Sequence, residues 1–189
     1  MEKCEYEEDG KRAEIIYPVF LKDEGINGEI RKTVDGILNN FLLYGSSESA
    51  LKMDSKIYHS DESYASLIIE GECAANDDTH PEKLRYPITY DFEGKRLLGI
   101  CDILPGDDWY NTANNIMKER VETDAEYEAL WETPTAEILE KDNFYIKDGK
   151  IVIFYPPYKL SYYNRGFVDF EFSKEDMRGY LSEYAKNHL

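Results

Sequence analysis

The chain has 189 residues, 42% of them hydrophobic and 32% charged, with a formal net charge of −17. That length suits one domain or two small modules sharing a core, and the composition is that of a globular chain, not a disordered one. The charge argues against nucleic acid and anionic membranes, since phosphate binding needs clustered Lys and Arg; it favours a cationic partner, or serves solubility alone.

No apolar run reaches the ~18 residues of a membrane span, so no membrane insertion is expected. The opening stretch "MEKCEYEEDGKRAEIIYPVF" has no charged n-region followed by an apolar h-region, so it does not read as a signal peptide. Taken as a complete chain, this places the protein in the cytoplasm.

Residues 13–21, "AEIIYPVFL", read as a first strand, with Pro18 marking an edge position or a bulge. In "DEGINGEIRKTVDGILNNFLL", Ile26, Ile30, Val34, Ile37, Leu38, Phe41 and Leu42 recur at helical spacing, while Glu29, Arg31, Lys32 and Asp35 fall elsewhere. That pattern predicts an amphipathic helix with one stripe facing a core, followed by "YGSSES" as its exit loop.

Residues 63–74, "SYASLIIEGECA", read as a long strand, and "ANDDTHPEK" as a polar loop. "LRYPITYDF" alternates, the "EGK" turn follows, and "RLLGICDIL" returns the chain as an antiparallel partner. From Trp109 to Trp131 the composition is helical, and a capping box over Thr123–Glu126 divides it. "NFYIKDGKIVIFYPPY" is a second hairpin turning at Asp148-Gly149, and "GFVDFEF" alternates as a further strand. Ser173 with Asp176 predicts the start of a last helix burying Met177, Tyr180, Leu181 and Tyr184. Consecutive strands joined by short turns mean antiparallel pairing, so the fold class is α+β: a mostly antiparallel sheet with amphipathic helices packed on it, shared by both halves.

The chemistry-bearing residues are few. Of the three histidines, His188 is next to the C-terminus and His59 falls in a polar stretch, "KIYHSDES". No nucleophile elbow appears, so no catalytic residue is assigned. "NDDTHPE" gathers Asp77, Asp78, His80 and Glu82 without EF-hand or His-Glu-x-x-His spacing, so no metal site is assigned. Phosphate-cradling and dinucleotide motifs are absent, so no cofactor is expected. Cys4, Cys73 and Cys101 form neither a disulfide framework nor a zinc site. Cys73 and Cys101, both in predicted strands, read as buried thiols, with a single bridge left open.

The densest aromatic segment offers more. Phe144, Ile146, Ile151, Ile153 and Tyr155 alternate as core positions should, but "PPYKLSYYNRG" does not. Pro156 and Pro157 end the strand and Gly166 permits re-entry into the next, which leaves Tyr158, Tyr162, Tyr163 and Arg165 on a structured loop. Tyr and Arg supply large area with a polar handle, so these residues are candidates for a contact surface, with His80 as a further candidate. The alternative is that Tyr158 and Tyr162 plug one end of the core.

"NFYIKDGKIVIFYPPYKLSYYNRGFVDFEFSKEDMRGYL" resembles the C-terminal extracytoplasmic domain of the RsiV-type anti-sigma factors, through Asn143, Phe144, Asp148, Gly149, Phe154, Pro157, Tyr158, Tyr163 and Gly166. "YDFEGKRLLGICDIL" looks like a hairpin of the same domain. "IIYPVFLKDEGINGEIRKTVDGILNNFL" is similar to the module that precedes it, also found with PdaC-type polysaccharide deacetylases. The resemblance implies an N-terminal extension over 1–13, a PdaC-like module over 14–75 and an RsiV-like module over 76–189, the two modules building one α+β unit outside the bacterial membrane. It further implies a non-enzymatic sensing or binding role towards a cationic, lysozyme-like protein. A cell-wall glycan is the other ligand expected; a wall-polymer hydrolase, a deacetylase-associated domain or a module without ligand are the alternatives.

Overall fold

A computed structural model describes residues 1–75, 79–127, 130 and 143–189. The fold is α+β, in two compact units, Met1–Leu97 and Leu98–Leu189. The sheet expected to run through both halves is two sheets among the described residues, one of six strands and one of three.

The first unit holds β1 (Glu2–Glu8), β2 (Lys11–Tyr17), α1 (Glu24–Tyr44), β3 (Ser49–Ser60), β4 (Tyr64–Ala75), β5 (Glu82–Asp91) and β6 (Arg96–Leu97). The strands lie in sheet order β1 to β6. All neighbours are antiparallel except β2 and β3, which pair in parallel because α1 crosses over between them. The stripe read from the sequence is the buried face of α1: Ile26, Ile30, Val34, Ile37 and Phe41 pack with Ile15, Leu51, Met53, Leu67 and Ile88 in one core. Asp23 caps the helix, its carboxylate accepting from the Ile26 N–H at 3.0 Å.

Two features lock this unit. Asn27, only 3% exposed, accepts from the Phe20 N–H and donates to the Phe20 carbonyl, both at 2.8 Å. Its amide completes the hydrogen bonding of a main-chain residue that has no strand partner. Gly71 on β4 crosses β3 closely, with no room for a Cβ between it and the Lys52 carbonyl.

The first unit departs from expectation in three places. Residues 2–8 are a strand, paired with β2 along their whole length. Residues 49–60 are also a strand, so His59 sits near the end of β3 and not in a loop. "RLLGICDIL" supplies only the two-residue β6 before a helix begins, because Gly99 starts a turn in which its N–H bonds the Asp102 carboxylate at 2.8 Å.

The second unit holds α2 (Ile100–Ile103), α3 (Trp109–Thr123), a 3-10 turn at Ala125–Tyr127, β7 (Phe144–Lys147), β8 (Lys150–Tyr155), β9 (Val168–Phe172) and α4 (Glu183–His188). The hairpin turn falls at Asp148-Gly149, both with positive φ (51° and 71°), as a two-residue turn requires. Strand register puts Phe144, Ile146, Ile151, Ile153, Phe170 and Phe172 on one sheet face. Tyr127 stacks on Phe170 with ring centroids 4.5 Å apart. The Tyr155 hydroxyl lies 3.7 Å from the Met117 sulfur of α3.

The last helix is shorter than expected. Ser173 and Asp176 do exchange the two capping hydrogen bonds, at 2.8 and 3.1 Å, but residues 174–180 form turns and α4 starts only at Glu183. Met177 and Leu181 are buried nonetheless. All three cysteines are thiols; Cys4 and Cys73 are half-buried, and Cys101 is exposed in α2 instead of buried in a strand. Among the described residues no helix is long and apolar enough to cross a membrane. Trp131, expected in a helix, and Asp77 and Asp78 of the polar loop lie outside the described residues.

Candidate functional site

The loop between β8 and β9 carries four of the predicted site residues. Pro156, without an N–H, ends β8. Leu160 and Ser161 are buried and pin the loop, while Tyr158 and Tyr162 on either side are 56% and 67% exposed. Tyr158 adopts a left-handed backbone with φ 65°, and its ring meets that of Tyr163 at 5.8 Å between centroids. Tyr163–Arg165 forms a 3-10 turn that ends at Gly166, with φ 76° and ψ −144°, a conformation open only to glycine. The Arg165 guanidinium donates to the Glu126 carbonyl, which ties the loop to the turn after α3. Tyr158 and Tyr162 are therefore not core plugs: the pinning is done by Leu160 and Ser161.

Glu126 also belongs to the rim of a cleft of about 480 Å³. Alternation along β9 turns Asp169 and Glu171 to the face opposite Phe170 and Phe172, and the β7–β8 hairpin brings Lys147 and Lys150 across from Glu171. Lys147 donates to one Glu171 carboxylate oxygen at 2.6 Å and Lys150 to the other at 2.8 Å. These two bonds hold the Glu171 carboxyl below the usual carboxylate range. The Tyr145 hydroxyl donates to the Asp169 carboxylate at 3.0 Å.

From the other wall of the cleft, Tyr127 and Arg120 reach the main chain of β9. The Tyr127 hydroxyl donates to the Asp169 carbonyl at 2.9 Å, and the Arg120 guanidinium donates to the Glu171 carbonyl. Burial pushes the Tyr127 hydroxyl up to about 12, so it remains a donor at any physiological pH. Arg120 lies 5.5 Å over the Phe172 ring and 3.5 Å from Asp176. None of these cleft residues was given a functional role from the sequence. The signal was the alternation of "VDFEF" combined with the Lys-Asp-Gly-Lys hairpin, whose register sets both lysines beside Glu171.

His80 stands in the first unit, exposed in the connection from β4 to β5, with its Nδ1 3.4 Å from the Thr79 hydroxyl. His59 stacks on Tyr64 at 4.1 Å, and its Nε2 lies 3.1 Å from Asp61, whose carboxylate also accepts from the Ser63 and Tyr64 N–H groups. This arrangement staples the β3–β4 turn. Among the described residues no group of three His, Cys, Asp or Glu side chains is placed to hold a metal ion.

Residues 102–175 match the family model of DUF3298, described as a protein of unknown function. The DUF3298 match takes in α3, all three strands of the second sheet, the tyrosine loop and every cleft residue named above except Asp176. A search of curated proteins returned no match. Two solved structures of DUF3298 proteins are similar in fold. One, from Pseudomonas aeruginosa PAO1, has a TM-score of 0.69 at 11% identity, over 97% of this chain and 94% of that one. The other, from Bacteroides fragilis NCTC 9343, has a TM-score of 0.58 at 16% identity, over 83% of this chain and 64% of that one. At these identities the likeness establishes the fold.

Proposed function

We propose that the chain is a non-enzymatic binding domain working outside the bacterial cytoplasm, and that Tyr158 and Tyr162 are the centre of its contact surface. The partner is a cationic protein or a cell-wall glycan. The observation that carries this reading is that two large aromatic side chains stand in solvent on a loop fixed by buried neighbours, a Gly-only turn and the Arg165–Glu126 contact. A loop ordered before binding loses little entropy when it binds, and exposed tyrosines offer area to a protein surface or a stacking face to a sugar ring. The formal net charge of −17 suits a cationic partner.

The test uses the full chain with two probes, lysozyme as the cationic protein and purified wall fragments as the glycan. The double substitution Tyr158→Ala/Tyr162→Ala should weaken capture of the probe that binds by about tenfold or more, with the unfolding free energy from urea titration held within about 0.5 kcal/mol. Unchanged capture by the folded variant sinks the surface assignment. Release of soluble products from wall fragments by the wild-type chain, abolished by a chelator or not, sinks the non-enzymatic reading.

A further inference from the structure

The edge of a sheet leaves main-chain N–H and C=O groups unpaired, and proteins manage such edges by cover, brevity or charge. In the second unit the edge strand β9 is covered, since Tyr127 and Arg120 donate to the carbonyls of Asp169 and Glu171. In the first unit the edge strand β6 is only two residues long. The opposite edge, β1, is seven residues long and is paired with β2 from Glu2↔Tyr17 to Glu8↔Lys11. Among the described residues β2 is its one strand partner.

Among the described residues, charge is the device that guards this edge. Cys4 and Tyr6 turn inward to the core, so Lys3, Glu5 and Glu7 occupy the other face. Lys3 is engaged by Glu5 at 2.6 Å and Glu14 at 2.7 Å, which leaves the strand acidic along its length. A groove of about 670 Å³ over β1, β2 and β3 mixes Glu5, Glu7 and Glu14 with Arg12 and Lys52, so it is not itself an acidic site. A second, of about 500 Å³ at the tip of the hairpin, includes four acidic residues, Glu7, Glu8, Asp9 and Glu48, against one basic residue, Arg12. A second copy of β1 added here would set glutamates against glutamates, which is unfavourable.

We infer that β1 is a docking edge for an extended, basic peptide segment of a partner protein, which joins the first unit's sheet as a seventh strand. Main-chain hydrogen bonds to the outer edge of β1, unpaired among the described residues, supply affinity, and every second side chain of the added strand, Lys or Arg, lies beside Glu5 and Glu7. This interaction shares no residue with the tyrosine loop, so either assignment can fail without the other.

The experiment uses the full chain, a short synthetic peptide alternating Lys and Val, and a peptide of the same charge with Pro in place of the central valines. At about 0.15 M salt, where long-range attraction is screened, the alternating peptide should bind at least about tenfold more tightly than its Pro counterpart. It should also slow hydrogen exchange at the outward amides of residues 2–8. Glu5→Lys/Glu7→Lys should weaken that binding by about tenfold or more while circular dichroism stays unchanged. Equal binding of the two peptides, or protection confined to other strands, overturns the inference. So does a doubling of mass without peptide that protects residues 2–8, since a second copy would then be the occupant.

Discussion

The ring of Tyr158 leans on that of Tyr163, centroids 5.8 Å apart and planes 35° apart, while the Tyr158 backbone is left-handed at φ 65°. A non-glycine residue in that region gives up about 1–2 kcal/mol. Glycine would remove the strain but adds its own chain entropy of about 0.5–1 kcal/mol. Tyr158→Gly should therefore keep stability within about 1 kcal/mol of wild type while losing capture of the bound probe. Urea unfolding alongside the binding assay checks this; a large loss of stability would mean the ring is a core element after all.

Gly166 closes the same loop with φ 76° and ψ −144°. Any side chain there is held in a backbone conformation that only glycine tolerates, at a cost of order 1–3 kcal/mol. Gly166→Ala should lower the unfolding free energy from urea titration by that amount and loosen the tyrosine loop, seen as faster hydrogen exchange in residues 158–165.

In the first unit Gly71 leaves no room for a side chain against the main chain of β3. A Cβ at this position would run into the Lys52 carbonyl oxygen and come within 2.8 Å of the Met53 Cα. Both are main-chain atoms of β3, so neither can rotate aside. Gly71→Ala should cost about 2–3 kcal/mol, at the upper end for overpacking. A thermal unfolding curve superimposable on wild type would show that β3 and β4 can part at no cost.

Glu171 makes a pH prediction with a definite sign. Lys147 and Lys150 hold its carboxyl below the ordinary value in the folded chain. Its contribution is therefore complete above the unfolded value of about 4.3 and disappears as pH falls through the lower folded value. Glu171→Gln should be less stable than wild type by about 0.5–1 kcal/mol at neutral pH, as for partly exposed pairs, with the gap closing in acid. Urea midpoints at a series of pH values measure it, and a gap independent of pH would refute the ion pairing.

The parts legible in the sequence were those with redundant signals. The stripe of α1 repeats over five turns and has an Asp cap, and the β7–β8 hairpin has alternation on both sides of Asp-Gly. β1 was illegible because "EKCEYEE" turns only Cys4 and Tyr6 inward and shows glutamate elsewhere, so its pairing with β2 is tertiary information. β3 was missed for a related reason: Lys52, Asp54 and Lys56 dilute the inward Leu51 and Met53. "RLLGICDIL" is an apolar run too short for periodicity to separate strand from helix. The tyrosine loop was found because its prolines and Gly166 break the alternation. The cleft was not, because Arg120 and Tyr127 reach β9 from a helix and a turn far away in sequence.

Asn27 has a mechanical consequence. By answering both polar groups of Phe20 it welds the chain leaving β2 onto the first turn of α1. The connection from Pro18 to Lys22 therefore cannot serve as a hinge, although its proline and its exposed Leu21 give it the look of one. Any swing of α1 away from the sheet would have to break two part-buried hydrogen bonds at once, so helix and strand travel as a single lever.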